Sequence, residues 1–141
     1  MNETRIRIAV AAIDLFEAVS AILGAIGLVV GFMNIPVAVL SGTPFADFTI
    51  PALLLGVVVG GSALVAAVVS ALGHRYYDAV ASGIAGGITV GFLTVEIAMI
   101  GLGAWPQVVW MLVGLAMVGL GALLWQVETR SAALSRTQQP I

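Results

Sequence analysis

The chain has 141 residues, of which 61% are hydrophobic and 9% charged, with a mean hydropathy of +1.16. Soluble domains carry about 45–50% apolar and about 25% charged residues, and small domains bury only about 60–70% of the surface they could expose. Water-soluble enzyme folds are therefore excluded, and the chain belongs in a bilayer. There is no Cys, the five basic residues are all Arg, and the formal net charge is -2. These facts exclude disulfide staples, thiol redox chemistry and thiolate metal sites. They also leave no clustered positive charge for nucleic acid.

Four apolar stretches follow in chain order, about 8–33, 50–72, 78–101 and 106–127. Each exceeds the roughly 20 residues that a helix needs to cross the hydrocarbon, and none alternates as a barrel strand must. The first is too long for a signal-peptide core and contains two acids. The link 34–49 is the longest and holds Pro36 and the run Ser41-Gly42-Thr43-Pro44; 73–77 and 101–105 are tight turns. Thr49 and Asp78 are expected N-caps, and Pro51 and Pro106 suit a first helical turn. Residues 128–141 are expected to form a flexible polar tail. The reading is a single all-α membrane domain, a four-helix transmembrane bundle in up-down-up-down order.

Arg5, Arg7, Arg75, Arg130 and Arg136 all fall on one side of this topology. That side is expected to be the cytoplasm, with both termini inside and the 34–49 link outside. Tyr76, Tyr77 and Trp125 then mark the inner interface, and Phe32, Phe45, Phe48, Trp105 and Trp110 the outer one. Lipid supplies no hydrophobic drive between helices, so their association depends on small residues that permit close approach. Gly24, Gly27 and Gly31 offer this in the first span, Gly56, Gly60, Gly61 and Ser62 in the second, and Gly114, Gly119 and Gly121 in the fourth. The third carries Ala79, Gly83, Gly87 and Gly91 at i, i+4 spacing, expected to pack within the monomer, with a homodimer seam as the alternative.

Acids inside spans are functional candidates by default. Asp14 and Glu17 share a face of the first span in its inner half. The pair reads either as a snorkelling or ion-paired cluster at the cytoplasmic boundary, reached by Arg7, His74 or Arg75, or as a proton or cation site. Two close carboxylates disfavour double ionisation, so at least one is expected to hold a proton at neutral pH. Glu96 lies in the outer half, where no basic residue is available. Its expected partner is Thr94, Thr89, Asn34, Thr43, Thr49 or Gln107, a water-filled cleft or a ligand. His74 alone meets no metal spacing rule. No di-iron carboxylate set, catalytic triad or nucleotide fingerprint is present, so no metal and no cofactor are expected.

The segment from Leu40 to Gly61, with Thr43-Pro44-Phe45 and Pro51 at its centre, resembles one in small four-span membrane proteins of actinobacteria and related bacteria. The stretch Thr94 to Ile100, followed by Trp105-Pro106-Gln107, is similar to the same group, whose members commonly have Gly where this chain has Ala52. That family has no assigned activity, so the resemblance implies fold and topology only. It marks Thr43, Pro44, Phe45, Pro51 and Glu96 as positions to watch.

The functional expectation is a small non-enzymatic protein of a bacterial cytoplasmic membrane, an accessory subunit or a binder of an apolar or lipid ligand. Its outer-leaflet pocket would be formed by the 34–49 link folding over Glu96, with Thr43, Phe45, Phe48, Trp105, Trp110 and Gln107. Expected partners are membrane lipids, an apolar ligand and a second copy or partner membrane protein, and not nucleic acid. Two alternatives stand beside it: a proton-coupled small multidrug-type transporter using Glu17, and a lipid-modifying membrane enzyme using Glu96.

Overall fold

The structure, a computed structural model, describes residues 3–73 and 75–137, apart from the side chains of Arg75 and Thr137. It contains four long helices: α1 (Glu3–Val29), α2 (Thr49–Leu72), α3 (Arg75–Ile100) and α4 (Trp105–Thr137). All four are long and apolar enough to cross a membrane. Among the described residues there is no strand, and a single 3-10 turn, Val37–Leu40, interrupts the link between α1 and α2. The result is an up-down-up-down bundle. The arginine positions at the start of α1, the start of α3 and the end of α4 share one end of it.

The helix limits differ from the expected spans in instructive ways. α1 and α3 begin earlier than the apolar runs, because Glu3, Arg5 and Arg75 are compatible with a helix outside hydrocarbon. α4 continues to Thr137, past the expected end at Val127. The expected tail is thus helical through 137, since its Glu, Arg, Ala and Leu are good helix formers and no Gly or Pro interrupts them. Residues 138–141 lie outside the described residues. α2 is not uniform: its middle, Leu54–Gly60, is a π-helix between α-helical ends. Asp78 is not a cap but sits one turn inside α3, fully buried. Thr49 does not cap α2 either; the Asp47 carboxylate accepts the Thr49 N–H at 2.9 Å. Left-handed glycines, Gly73 (φ 73°) and Gly101 (φ 82°), stop α2 and α3.

Each helix buries one narrow seam. On α1 it runs through Ile6, Val10, Asp14, Glu17, Ala21 and Ala25, and on α3 through Asp78, Ser82, Ala85, Thr89 and Leu93. These steps of three and four are the period of a single helix face. The seams of α2 (Ala52, Val59, Ala63, Ala66) and α4 (Met117, Leu124) are apolar below Gln107. Ala18, Ala63, Ala66, Ala85 and Met117 meet at the centre, one cluster drawn from all four helices. Neighbouring helices follow chain order around the bundle, so α1 and α3 face each other diagonally across its axis.

Glycine sets the closest approaches. A Cβ on Gly56 would lie 2.9 Å from the Ala25 Cβ, and one on Gly60 2.9 Å from Ile22 Cγ1, so α1 and α2 meet there. A Cβ on Gly86 would lie 2.6 Å from the Gly114 carbonyl, and one on Gly121 2.7 Å from the Ala79 carbonyl, which fixes α3 against α4. The expected i, i+4 stripe on α3 does not pack within the monomer as a whole. Ala79 is buried and Gly83 lies under Gly121, but Gly87 and Gly91 are exposed with nothing against them. The reason is geometric. At 3.6 residues per turn, each four-residue step rotates by about 40°, so the stripe turns by about 120° from Ala79 to Gly91 and leaves the interface. Gly31 lies beyond α1 with a left-handed backbone, and Gly119 faces open space.

Candidate functional sites: a buried acid seam and a link-side cavity

The diagonal pairing of α1 and α3 places their polar residues side chain to side chain. At the arginine-bearing end, Arg7 Nη2 lies 2.7 Å from Asp78 Oδ2. Further in, the Ser82 hydroxyl donates to Asp14 Oδ1 at 2.7 Å. The Thr89 hydroxyl, 3.2 Å from Glu17 Oε1, is equally close to its own-helix Ala85 carbonyl. Glu17 and Thr89 each stand 14 residues from the start of their helices, about 21 Å up from that end. Asp14, Glu17, Asp78 and Ser82 have no exposed surface, and Thr89 has 1%.

Asp14 and Glu17 are therefore not snorkelling to the boundary. The ion pair that Arg7 makes is with Asp78. His74 lies outside the described residues, as does the side chain of Arg75. The second oxygens, Asp14 Oδ2 and Glu17 Oε2, are buried and have no hydrogen-bond partner among the described residues. Ser82 was not singled out from the sequence, and Thr89 was considered only as a partner of Glu96. The available signal was the spacing Asp78, Ser82, Ala85, Thr89, a run of one-face positions that repeats the pattern Val10, Asp14, Glu17, Ala21 on α1.

The half nearer the 34–49 link is built differently. A cavity of about 180 Å³ lies between the link-side ends of α2 and α3, roofed by the link. Glu96, Thr43, Phe45 and Phe48 all line it, together with Phe92 and Leu55. Its wall is otherwise almost wholly apolar. Thr43 is turned into the link, where its hydroxyl donates to the Leu40 carbonyl at 2.7 Å. Leu54, Val95, Met99 and Ile100 line the cavity and remain partly exposed. A wider recess of about 530 Å³ adjoins it at the end of α1 and shares Leu28, Ile35 and Phe48.

Three of the expected pocket residues stand elsewhere. Trp105 is 73% exposed on the surface. Trp110 stacks on Phe16 of α1 at 6.2 Å, at mid-height and away from the cavity. Gln107 is buried and organises the α3–α4 turn. Its Oε1 accepts the N–H groups of Gly103 and Ala104, while its Nε2 donates to the Gly101 carbonyl and, at 3.0 Å, to Glu96 Oε1. Gln107 is thus the partner of Glu96, fixing one carboxylate oxygen at the cavity wall. At the arginine-bearing end, Tyr76 packs on Trp125 at 4.6 Å and edge-on to Tyr77. Comparison of the chain with protein-family models, curated proteins and solved structures finds no match.

Proposed function

We propose that this protein is a non-enzymatic membrane binder of an apolar, lipid-like ligand, held in the cavity beside Glu96. The observation that carries the reading is the cavity itself: aromatic and aliphatic walls, a roof made by the link, and partly exposed Leu54, Val95 and Met99 at its edge. An apolar cavity of about 150 Å³ stays dry and accepts a benzene-sized guest, whereas drug-sized ligands fill about 300 Å³ or more. A space of about 180 Å³ therefore suits a small ring or the end of an alkyl chain. The remainder of a longer ligand would lie along the exposed faces of Val95 and Met99. The Glu96 carboxylate orients a polar group at the mouth.

The arginine-bearing end faces the cytoplasm of a bacterial cell in this proposal, by the bias of basic residues toward that side. The chain has no Cys, so single cysteines report sidedness cleanly. Ser41→Cys is expected to react with an impermeant maleimide from outside intact cells, and Ser131→Cys only after lysis. The reverse pattern would overturn the orientation.

Binding is tested with a phospholipid carrying a diazirine near its acyl-chain end, photolysed in vesicles that contain the protein. Crosslinks are expected to concentrate on Leu54, Phe92 and Met99 and to fall when competing unlabelled lipid is added. Phe45→Ala, which opens the roof, is expected to lower that yield several-fold. Crosslinks spread evenly over lipid-facing positions such as Val65 and Leu115 would overturn the reading.

A further inference from the structure

We propose that Asp14 and Glu17 form a proton-binding pair at the centre of the bundle, loaded from the arginine-bearing end. Three observations carry this independently of the link-side cavity. The first is the pattern of partners. In each carboxyl group, one oxygen is within reach of a hydroxyl of α3, Ser82 for Asp14 and Thr89 for Glu17. The other oxygen is buried and has no partner among the described residues. A proton arriving at either group bonds to that open oxygen, turning carboxylate into acid, while the hydroxyl stays where it is.

The second is charge. Among the described side chains, the charged groups in the same seam are Asp78 on α3 and its partner Arg7 on α1; half-buried Glu128 of α4 stands further off, seven residues beyond the Gly121–Ala79 contact toward the arginine-bearing end. α2 contains no ionisable side chain. Among the described side chains the cation nearest in the seam, Arg7, is paired with Asp78, and a proton neutralises a buried carboxylate in a medium where isolated charge is costly. A metal cation fits poorly. Ser82 and Thr89 are two turns apart, about 10 Å along α3, and one coordination shell with ligands at 2.3–2.6 Å does not span both.

The third is asymmetry. From the pair toward the arginine-bearing end the seam continues through Ser82, Asp78 and Arg7. Toward the cavity it continues through Ala21, Ala25 and Leu93, with no buried polar side chain among the described residues until Gln107. Polar groups conduct protons in hydrated or hydrogen-bonded chains and alanine does not, so exchange runs to one side.

Infrared spectroscopy of the full chain in zwitterionic phospholipid vesicles tests this by reading the carboxylic-acid carbonyl stretch as buffer pH is varied. The wild type is expected to show a pH-dependent acid band that Asp14→Asn or Glu17→Gln removes and Glu96→Gln leaves intact. Thr89→Val is expected to shift its frequency by removing the hydroxyl beside Glu17, an effect that a purely structural role would not produce. Absence of a pH-dependent band assignable to either residue would overturn the proposal. If both acid variants fail to reconstitute, Thr89→Val and Ser82→Ala decide, and a band indifferent to both overturns it.

Discussion

The two halves of the bundle solve opposite problems. Near the arginine-bearing end the space between α1 and α3 is filled by polar side chains that meet across the axis, Arg7 with Asp78 and Asp14 with Ser82. Near the link the space between α2 and α3 is left partly empty, walled by Phe45, Phe48 and Phe92, with one carboxylate held at its edge by Gln107. The same helices serve both ends. Filled space specifies how α1 and α3 register against each other, and open space leaves room for a guest. In hydrocarbon, where burying an apolar side chain gains little between helices, hydrogen bonds and close backbone contact must hold the frame around that opening.

Substitutions in the filled half are expected to cost most. Arg7→Ala removes the guanidinium that pairs with fully buried Asp78. Removing one partner of a buried ion pair costs about 3–5 kcal/mol, read as a fall in unfolding free energy in detergent. Asp78→Asn in the same chain is expected to restore a large part of it, the signature of a coupled pair. Next come the glycine contacts. Gly86→Ala drives a methyl group into the Gly114 carbonyl and Met117, a backbone collision that overpacking values place at about 1–3 kcal/mol. Gly87→Ala, one position on with nothing nearby, is expected to be nearly neutral in the same assay, and equal losses would refute the rotation of the glycine stripe.

Around the open half the expected effects are equal to the glycine contacts or smaller. Gln107→Ala removes the turn's acceptor for Gly103 and Ala104 and the donor to Glu96, at about 1–3 kcal/mol. It is also expected to free the Glu96 carboxyl and alter crosslinking at the cavity mouth. The smallest effect belongs to Asp47. The Thr49 N–H holds its carboxylate below the usual carboxylate range. That contribution is present above the ordinary Asp value of about 4 and fades as pH falls through the lower folded-state value. Melting curves of Asp47→Ala and wild type are expected to differ slightly at neutral pH and to converge in acid.

Much of the frame was legible in composition and apolar run length, which report directly on the solvent of the chain. The four helices, their alternation and the common end of the arginines follow from those features alone. The grouping of Glu96 with Thr43, Phe45 and Phe48 was also legible, because a link of that length between the first two spans must fold over the bundle. What stayed hidden depended on rotation and reach. The run from Ala79 to Gly91 looked like an interface because its residues are small, yet its four-residue step carries it out to the surface. The seam that does face inward, Asp78, Ser82, Ala85 and Thr89, was masked by the same glycines. Asp78 read as a cap because helix starts are blurred where polar residues precede an apolar run. Gln107 and Trp105 are two residues apart, so they point to different sides of α4, and only one turns inward.

The most direct test of the link-side cavity as a ligand site is a structure of the protein determined in lipid nanodiscs. Elongated non-protein density entering between α2 and α3, in contact with Phe48 and Phe92 and with its polar end beside Glu96, is the expected result. A cavity collapsed by inward movement of Phe45 and Phe48, with lipid density confined to the outer surfaces of the helices, would contradict it.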